Sequence, residues 1–404
     1  MHNHKTNTVS SHFKIAILLL IAVGTLYSCQ KEERTNPTEE PRTEIYVTDS
    51  VHYDAQKMTA FNFVYMSTDP YGKRVPHSAT ITMGDDVTRH NPARGLILYN
   101  HFTIYRADQC PSRGELSIQT LMLPSGMITI SPDYYGFGVT EKEQQAYCIS
   151  RVNAQNSVDA LIAGKQLLKE MGFSWEEKLF NMGYSQGGQT SMGVVRLVDE
   201  HYPDIHIDYS FAGAGSYDIH ETYRQFINAT IAGMPSTVIS VLLSYNEYFN
   251  LDIPRHEVFR EPVLSNIDEW ILSKRYTREE IDAKVGSLAF AEYVTPAMTD
   301  TTTRLAQRYL AAMDRDNLCQ GWQPRRDEHI LLFHNTQDIT VPVENTTNLH
   351  HFLLANGAQN VILDTANYGS TPMAPAHESG AIFFMLRCVN LMSNVLGIEP
   401  WSIF

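Results

Sequence analysis

The segment Gly183-Tyr184-Ser185-Gln186-Gly187-Gly188 constrains this chain more than any other. A strand pattern, Lys178–Met182, precedes it, and a helical pattern, Gln186–His201, follows it. A strand that turns into a helix so abruptly leaves no room for side chains beside the serine. Glycine at 183 and 187 removes that clash. The serine then projects beyond the strand, at the positive end of the helix. A G-x-S-x-G run between strand and helix is the arrangement that presents a nucleophilic hydroxyl above a sheet.

The rest of the chain supplies such a sheet. Tyr46–Tyr53, Phe61–Ser67 and Ala79–Thr82 read as strands between turn signals such as Asp69-Pro70-Tyr71-Gly72. Gly95–Tyr99 and Met127–Ile130 are short apolar runs of the kind found in buried strands. Ala154–Met171 has helical spacing and ends at Gly172; Ile207–Phe211 is again a strand. Residues 216–325 are helical in pattern, without a clear buried strand. Alternation then resumes with strand His329–Phe333, helix Val343–Ala355, strand Val361–Leu363 and helix Ser379–Leu396. Alternation of this kind predicts an α/β fold, a mostly parallel central sheet with helices on both faces. Residues 45–215 and 326–404 form its core, and 216–325 a helical cap over one edge. Within the cap, Phe226, Ile227, Ile231, Val238, Ile239, Val241, Leu242, Leu243 and Tyr245 are mostly core, a minority being free to line an acyl pocket.

A serine hydroxyl is a weak nucleophile without a base. The base expected is a histidine oriented by a carboxylate, both later in the chain. Asp338 stands in the loop after strand His329–Phe333, and His377 in the loop after the next strand, just before the last helix. All three residues therefore fall at the C-terminal ends of strands. Charge developing on an attacked carbonyl oxygen needs N–H donors. One is the backbone N–H of Gln186; the other comes from the loop Tyr99-Asn100-His101-Phe102-Thr103, at Phe102 or Thr103. His101 reads as a residue supporting that loop, and Asp133-Tyr134-Tyr135-Gly136 as a structural turn beside the pocket. His350 and His351 are adjacent on a helix and do not share a face, so they do not pair on a metal. No Cys/His spacing suggests zinc, and no metal or cofactor is expected.

The N-terminus belongs to targeting. Lys14 precedes the apolar run Ile15–Leu26, too short to span a bilayer comfortably but fitting a secretory signal. Leu26-Tyr27-Ser28-Cys29 resembles the lipobox of bacterial lipoproteins, which implies a signal peptide at 1–28 and a lipid on Cys29. Residues 29–44 are polar and Pro-containing, a flexible linker. Gln30-Lys31-Glu32-Glu33 resembles the surface-export signal of some Gram-negative lipoproteins. The location expected is the outer membrane or cell surface of such a bacterium, a periplasm-facing attachment being the alternative. The net charge is −14, and removing Lys5 and Lys14 with the signal leaves −16. So acidic a chain is a poor partner for nucleic acid. Its membrane contact would come through the lipid. Four cysteines remain, Cys110, Cys148, Cys319 and Cys388. An exported protein can oxidise them, and Cys110 with Cys148, both in loops after strands, is the favoured pair.

On these residues the chain is similar to the α/β-hydrolases over about residues 45–404. Within them it most resembles the secretory-lipase group. Cys110-Pro111-Ser112, Ser131-Pro132-Asp133-Tyr134-Tyr135-Gly136, the Gly183–Gly188 turn and the helical stretch before Asp338 carry that resemblance. Members often have His-Gly where this chain has His101-Phe102. The resemblance implies hydrolysis of a small or lipid-like ester by Ser185, His377 and Asp338, under a lid that shapes the pocket. Two other classes share these features: a serine exopeptidase of the same fold, and a non-catalytic binding lipoprotein.

Overall fold

The computed structural model describes residues 45–114, 126–228, 233–370 and 375–398. The signal, the linker, Cys29 and the Gln30–Glu33 segment lie outside the described residues. Nine strands form one sheet in the order β1-β2-β3-β5-β4-β6-β7-β8-β9. They are β1 Tyr46–Tyr53, β2 Met58–Thr68, β3 Arg74–Gly84, β4 Gly95–Asn100, β5 Met127–Pro132, β6 Leu179–Tyr184, β7 Tyr209–Gly213, β8 His329–Asn335 and β9 Asn360–Ala366. The strands β1, β2 and β3 pair antiparallel, as does β3 with β5; every other pair is parallel. β3 runs longer than its apolar stretch predicts, because the tight turn at Asp69–Gly72 pairs it with β2 along its whole length.

Helices α1 Ser150–Glu170 and α2 Gln186–His201 cover one face, with Val158, Leu161, Val194 and Val198 packed on Leu96, Leu98, Ile128 and Ile130. Helix α8, Ala376–Leu396, covers the other and sets Phe384, Met385, Cys388 and Met392 against Phe180, Met182, Phe211 and Phe333. Strands buried on both faces are mostly apolar on both, which is why β4 to β7 lack the alternation of a half-exposed sheet. This is the α/β-hydrolase fold.

Strand order reverses at β4, whose sequence successor β5 lies on one side and β6 on the other. A crevice at the C-terminal ends of the strands is expected at such a switch point. The loop after β4 carries residues 101–103, and the turn after β6 carries Ser185. Between β7 and β8 the described residues contain helices and no named strand. These helices include α3 Ile219–Asn228, α4 Pro235–Tyr248, α5 Arg278–Val285 and α6 Arg304–Arg315. Ile239, Leu242, Tyr245, Phe290, Tyr309 and Met313 pack into one cluster that continues into Tyr105, Tyr135 and Tyr147 of the core loops. After β8 comes α7, Glu344–Ala355.

The cysteines correct one expectation. Cys110, Cys148, Cys319 and Cys388 are all free. Cys110 is buried with Ile104 and Phe137, whereas Cys148 is buried in the separate cluster beneath the inserted helices. Two thiols enclosed in different apolar clusters are not placed to bond.

Candidate active site

Ser185 has φ 58° and ψ −120° and directly precedes α2. A non-glycine residue pays for this conformation in strain, so the surroundings must enforce it. They do so at both ends. The Ser185 N–H donates to the Gly213 carbonyl at 2.8 Å, and the Ser185 carbonyl accepts from the Gln189 N–H at 3.1 Å. A Cβ on Gly187 would drive into the Asn100 carbonyl, and one on Gly183 into the Gly187 carbonyl. Both glycines are therefore required by close backbone approach. Beneath the turn lies a buried amide network. Asn100 Nδ2 donates to Asn181 Oδ1 at 2.8 Å and Ser191 Oγ at 2.9 Å, and Asn181 Nδ2 to the Ser191 carbonyl at 2.9 Å. It ties β4, β6 and α2 together directly below the serine.

His377 and Asp338 meet Ser185 although they are distant in sequence. The His377 Nδ1–H donates to Asp338 Oδ2 at 2.5 Å, which leaves Nε2 to accept from the Ser185 hydroxyl at 2.9 Å. The second Asp338 oxygen accepts the N–H groups of Thr340 at 2.8 Å and Val341 at 3.0 Å. Burial works to raise the Asp338 pKa, but His377, with further help from His334, holds the carboxyl well below the usual range. Burial disfavours charge on His377 too, yet the Asp338 carboxylate wins and its pKa is raised. Such a chain of groups can take a proton from a hydroxyl and hold the resulting imidazolium.

Several supporting residues escape sequence reasoning. His334, fully buried, places Nε2 2.8 Å from the Val341 carbonyl and 3.4 Å from Asp338 Oδ2, with Nδ1 2.6 Å from Thr346 Oγ1. Asn335 Nδ2 donates to the carbonyls of Gly369 and Ala376, both at 2.9 Å, and so holds the start of the His377 helix to the end of β8. The Tyr184 hydroxyl donates to the His377 carbonyl at 2.7 Å. The available signal was polar residues, His334 and Asn335, closing an otherwise apolar buried strand.

The backbone N–H groups of Phe102 and Thr103 have no acceptor among the described residues, and that of Gln186 lies in the first helical turn, where intrahelical partners are lacking. His101 turns away from Ser185. Its ring stacks on Tyr134 at 4.1 Å, and Nδ1 lies 2.6 Å from the Phe102 carbonyl. Burial pushes its pKa down to about 4, so the ring is neutral at neutral pH. Asp133 is a buried junction that accepts from Ser78 and Ser112, both hydroxyls at 2.5 Å.

Two cavities reach Ser185. One, of about 420 Å³, is lined by Tyr99, Phe102, Thr103, Tyr184, His377 and Phe384, with Arg278 and Glu378 among its polar groups. The other, of about 50 Å³, runs beneath the inserted helices between Gln186, Tyr223, Phe226, Val238, Leu242 and Met313. Arg278 on α5 pairs with Glu378 at 3.0 Å, joining the insertion to the turn that bears His377.

The secretory lipase family model matches residues 113–370, a span that includes Ser185, Asp338 and the whole insertion. Among curated proteins no sequence match was found. Among solved structures, the rice cell wall degrading esterase LipA from Xanthomonas oryzae aligns with a TM-score of 0.70 at 19% identity, covering 87% of this chain and 97% of that one. A Legionella pneumophila protein aligns with a TM-score of 0.75 at 18% identity over 87% of this chain and 97% of that one. Lipase A from Candida antarctica, in its closed state, aligns with a TM-score of 0.63 at 16% identity over 88% and 83%. At these identities the likeness is one of fold.

Proposed function

Because the chain belongs to the secretory lipase family, we propose that it hydrolyses carboxylic esters through Ser185, His377 and Asp338 and a covalent acyl-enzyme. The observation that carries this reading is the unbroken hydrogen-bond chain from Asp338 through His377 to Ser185, ending where two cavities meet. Ser185 Oγ bonds to the ester carbonyl carbon while His377 Nε2 takes the hydroxyl proton. Asp338 holds the ring in the tautomer that can accept it and stabilises the imidazolium. The N–H groups of Gln186 and of Phe102 or Thr103 receive the developing oxyanion. The C–O bond to the alcohol then breaks, and His377 returns its proton to the departing oxygen. Water, deprotonated by His377, adds to the acyl-enzyme and releases the carboxylic acid, restoring Ser185.

A fluorophosphonate probe tests the nucleophile, and 4-nitrophenyl acetate beside an aminoacyl 4-nitroanilide tests the bond. Wild type is expected to be labelled on Ser185 and to cleave the ester, with both lost in Ser185→Ala. Equal labelling of the two proteins would remove Ser185 from the mechanism. Cleavage of the anilide without the ester would make the protein an exopeptidase.

A further inference from the structure

We propose that the substrate is the ester of a short acyl group with a bulky, ring-bearing alcohol. This rests on the ester-hydrolase reading above and assigns the two cavities to the two halves of the ester. In acyl transfer the leaving oxygen must receive a proton, and here the donor is His377 Nε2. His377 lines the wide cavity, together with Ser185, and does not line the narrow one. The alcohol must therefore depart into the wide cavity. The acyl group takes the remaining direction, past Gln186 and under the inserted helices. The reverse orientation would carry the alkoxide oxygen into the narrow cavity, away from His377.

Size then sets the chemistry. The narrow cavity, of about 50 Å³, is roughly an eighth of the wide one, of about 420 Å³. The acyl half of the ester is therefore the smaller one, and a long chain has no room there. Its walls are fixed: Leu242, Val238 and Met313 are buried in the packed core of the insertion. The wide cavity, of about 420 Å³, is walled by the rings of Tyr99, Phe102, Tyr105, Tyr184 and Phe384 and carries Gln109, Arg278, Glu279 and Glu378. Aromatic faces with a few polar groups suit a ring, either a hydrocarbon ring or a sugar, since both present a flat apolar face.

The test uses esters of primary alcohols, whose leaving groups are similar in reactivity. Ethyl acetate, cyclohexylmethyl acetate and methyl 6-O-acetylglucoside vary the alcohol; cyclohexylmethyl acetate and octanoate vary the acid. At least one ring-bearing acetate is expected to exceed ethyl acetate tenfold or more in kcat/KM, and the more active of the two identifies the ring as hydrocarbon or sugar. Acetate should exceed octanoate tenfold or more. Ethyl acetate turned over as fast as both ring esters, or octanoate preferred to acetate, would overturn the assignment while leaving ester hydrolysis intact. Absence of all ester turnover and of Ser185 labelling would instead remove the underlying reading. Leu242→Ala, which lengthens the narrow cavity, should raise the octanoate-to-acetate ratio at least tenfold. The wild-type ratios decide the matter if that variant does not fold.

Discussion

Asp338 is a buried carboxylate that remains ionised because four hydrogens face it: two backbone N–H groups, the His377 Nδ1–H and, more distantly, the His334 ring. Its effect on His377 fixes the pH dependence. A base must be neutral to act, and Asp338 raises the His377 pKa above its usual 6.5. The acid limb of kcat/KM should therefore have its midpoint above 6.5. In Asp338→Asn the carboxylate is gone while burial still disfavours the imidazolium. The limb should then move to lower pH, and kcat should fall on the order of 10⁴-fold, as when a serine triad loses the charge that orients its histidine. A pH profile of both proteins checks this. An acid limb unmoved by the substitution would show that Asp338 does not set the His377 pKa.

At the level of elements, helix α1 has no capping side chain of its own at its start. Asp316, just after α6, supplies one from across the chain: Oδ2 accepts the Ser150 N–H at 2.6 Å, and Oδ1 the Ser150 hydroxyl at 2.9 Å. This bond fastens the inserted helices to the core. Asp316→Ala removes a cap and leaves buried donors unpaired, a loss of about 2 kcal/mol. Chemical denaturation followed by tryptophan fluorescence should show it as a lower midpoint with an unchanged slope. A change in slope would mean that the insertion unfolds separately from the core. Asp316 also illustrates why parts of the architecture were illegible. The strands and helices of the core announce themselves by short apolar runs and by periodicity, both local properties. The Gly183–Gly188 turn is legible because backbone crowding leaves glycine as the choice at two positions. Asp316 and Asn335 act through partners far along the chain, and nothing in their local sequence marks those partners; His334 acts through the loop that follows it, whose path back over the ring is likewise unmarked. The cavities were equally hidden, because their walls combine residues from α3, α4, α6 and the core loops. The Cys110–Cys148 pairing failed for the same reason: loop position after a strand does not say which apolar cluster a thiol enters.

At the scale of the whole molecule, stability should depend on pH through carboxyls far from Ser185. Asp199 near the end of α2, Arg325 and Glu328 just before β8 form a partly buried cluster, with Arg325 Nε 3.2 Å from Asp199 Oδ1. Burial first, and then the neighbouring Asp199 carboxylate, raise the Glu328 pKa to about 8. The folded protein thus keeps a proton on Glu328 that the unfolded chain releases near pH 4.5. A raised acid stabilises the fold fully below the unfolded pKa, and that contribution is lost as pH rises through the folded one. Between about 4.5 and 8 the stability of the wild type should decline with pH by on the order of 1 kcal/mol per unit from this group. His377, also raised, acts with the same sign above 6.5. Glu328→Gln keeps the neutral shape of the protonated acid and cannot ionise. It should be close to wild type in stability at pH 5 and more stable at pH 8, with the decline correspondingly flatter. Denaturation midpoints measured at both pH values decide it. Parallel profiles for the two proteins would show that Glu328 is ionised in the fold, and that Arg325 neutralises the cluster more completely than burial opposes it.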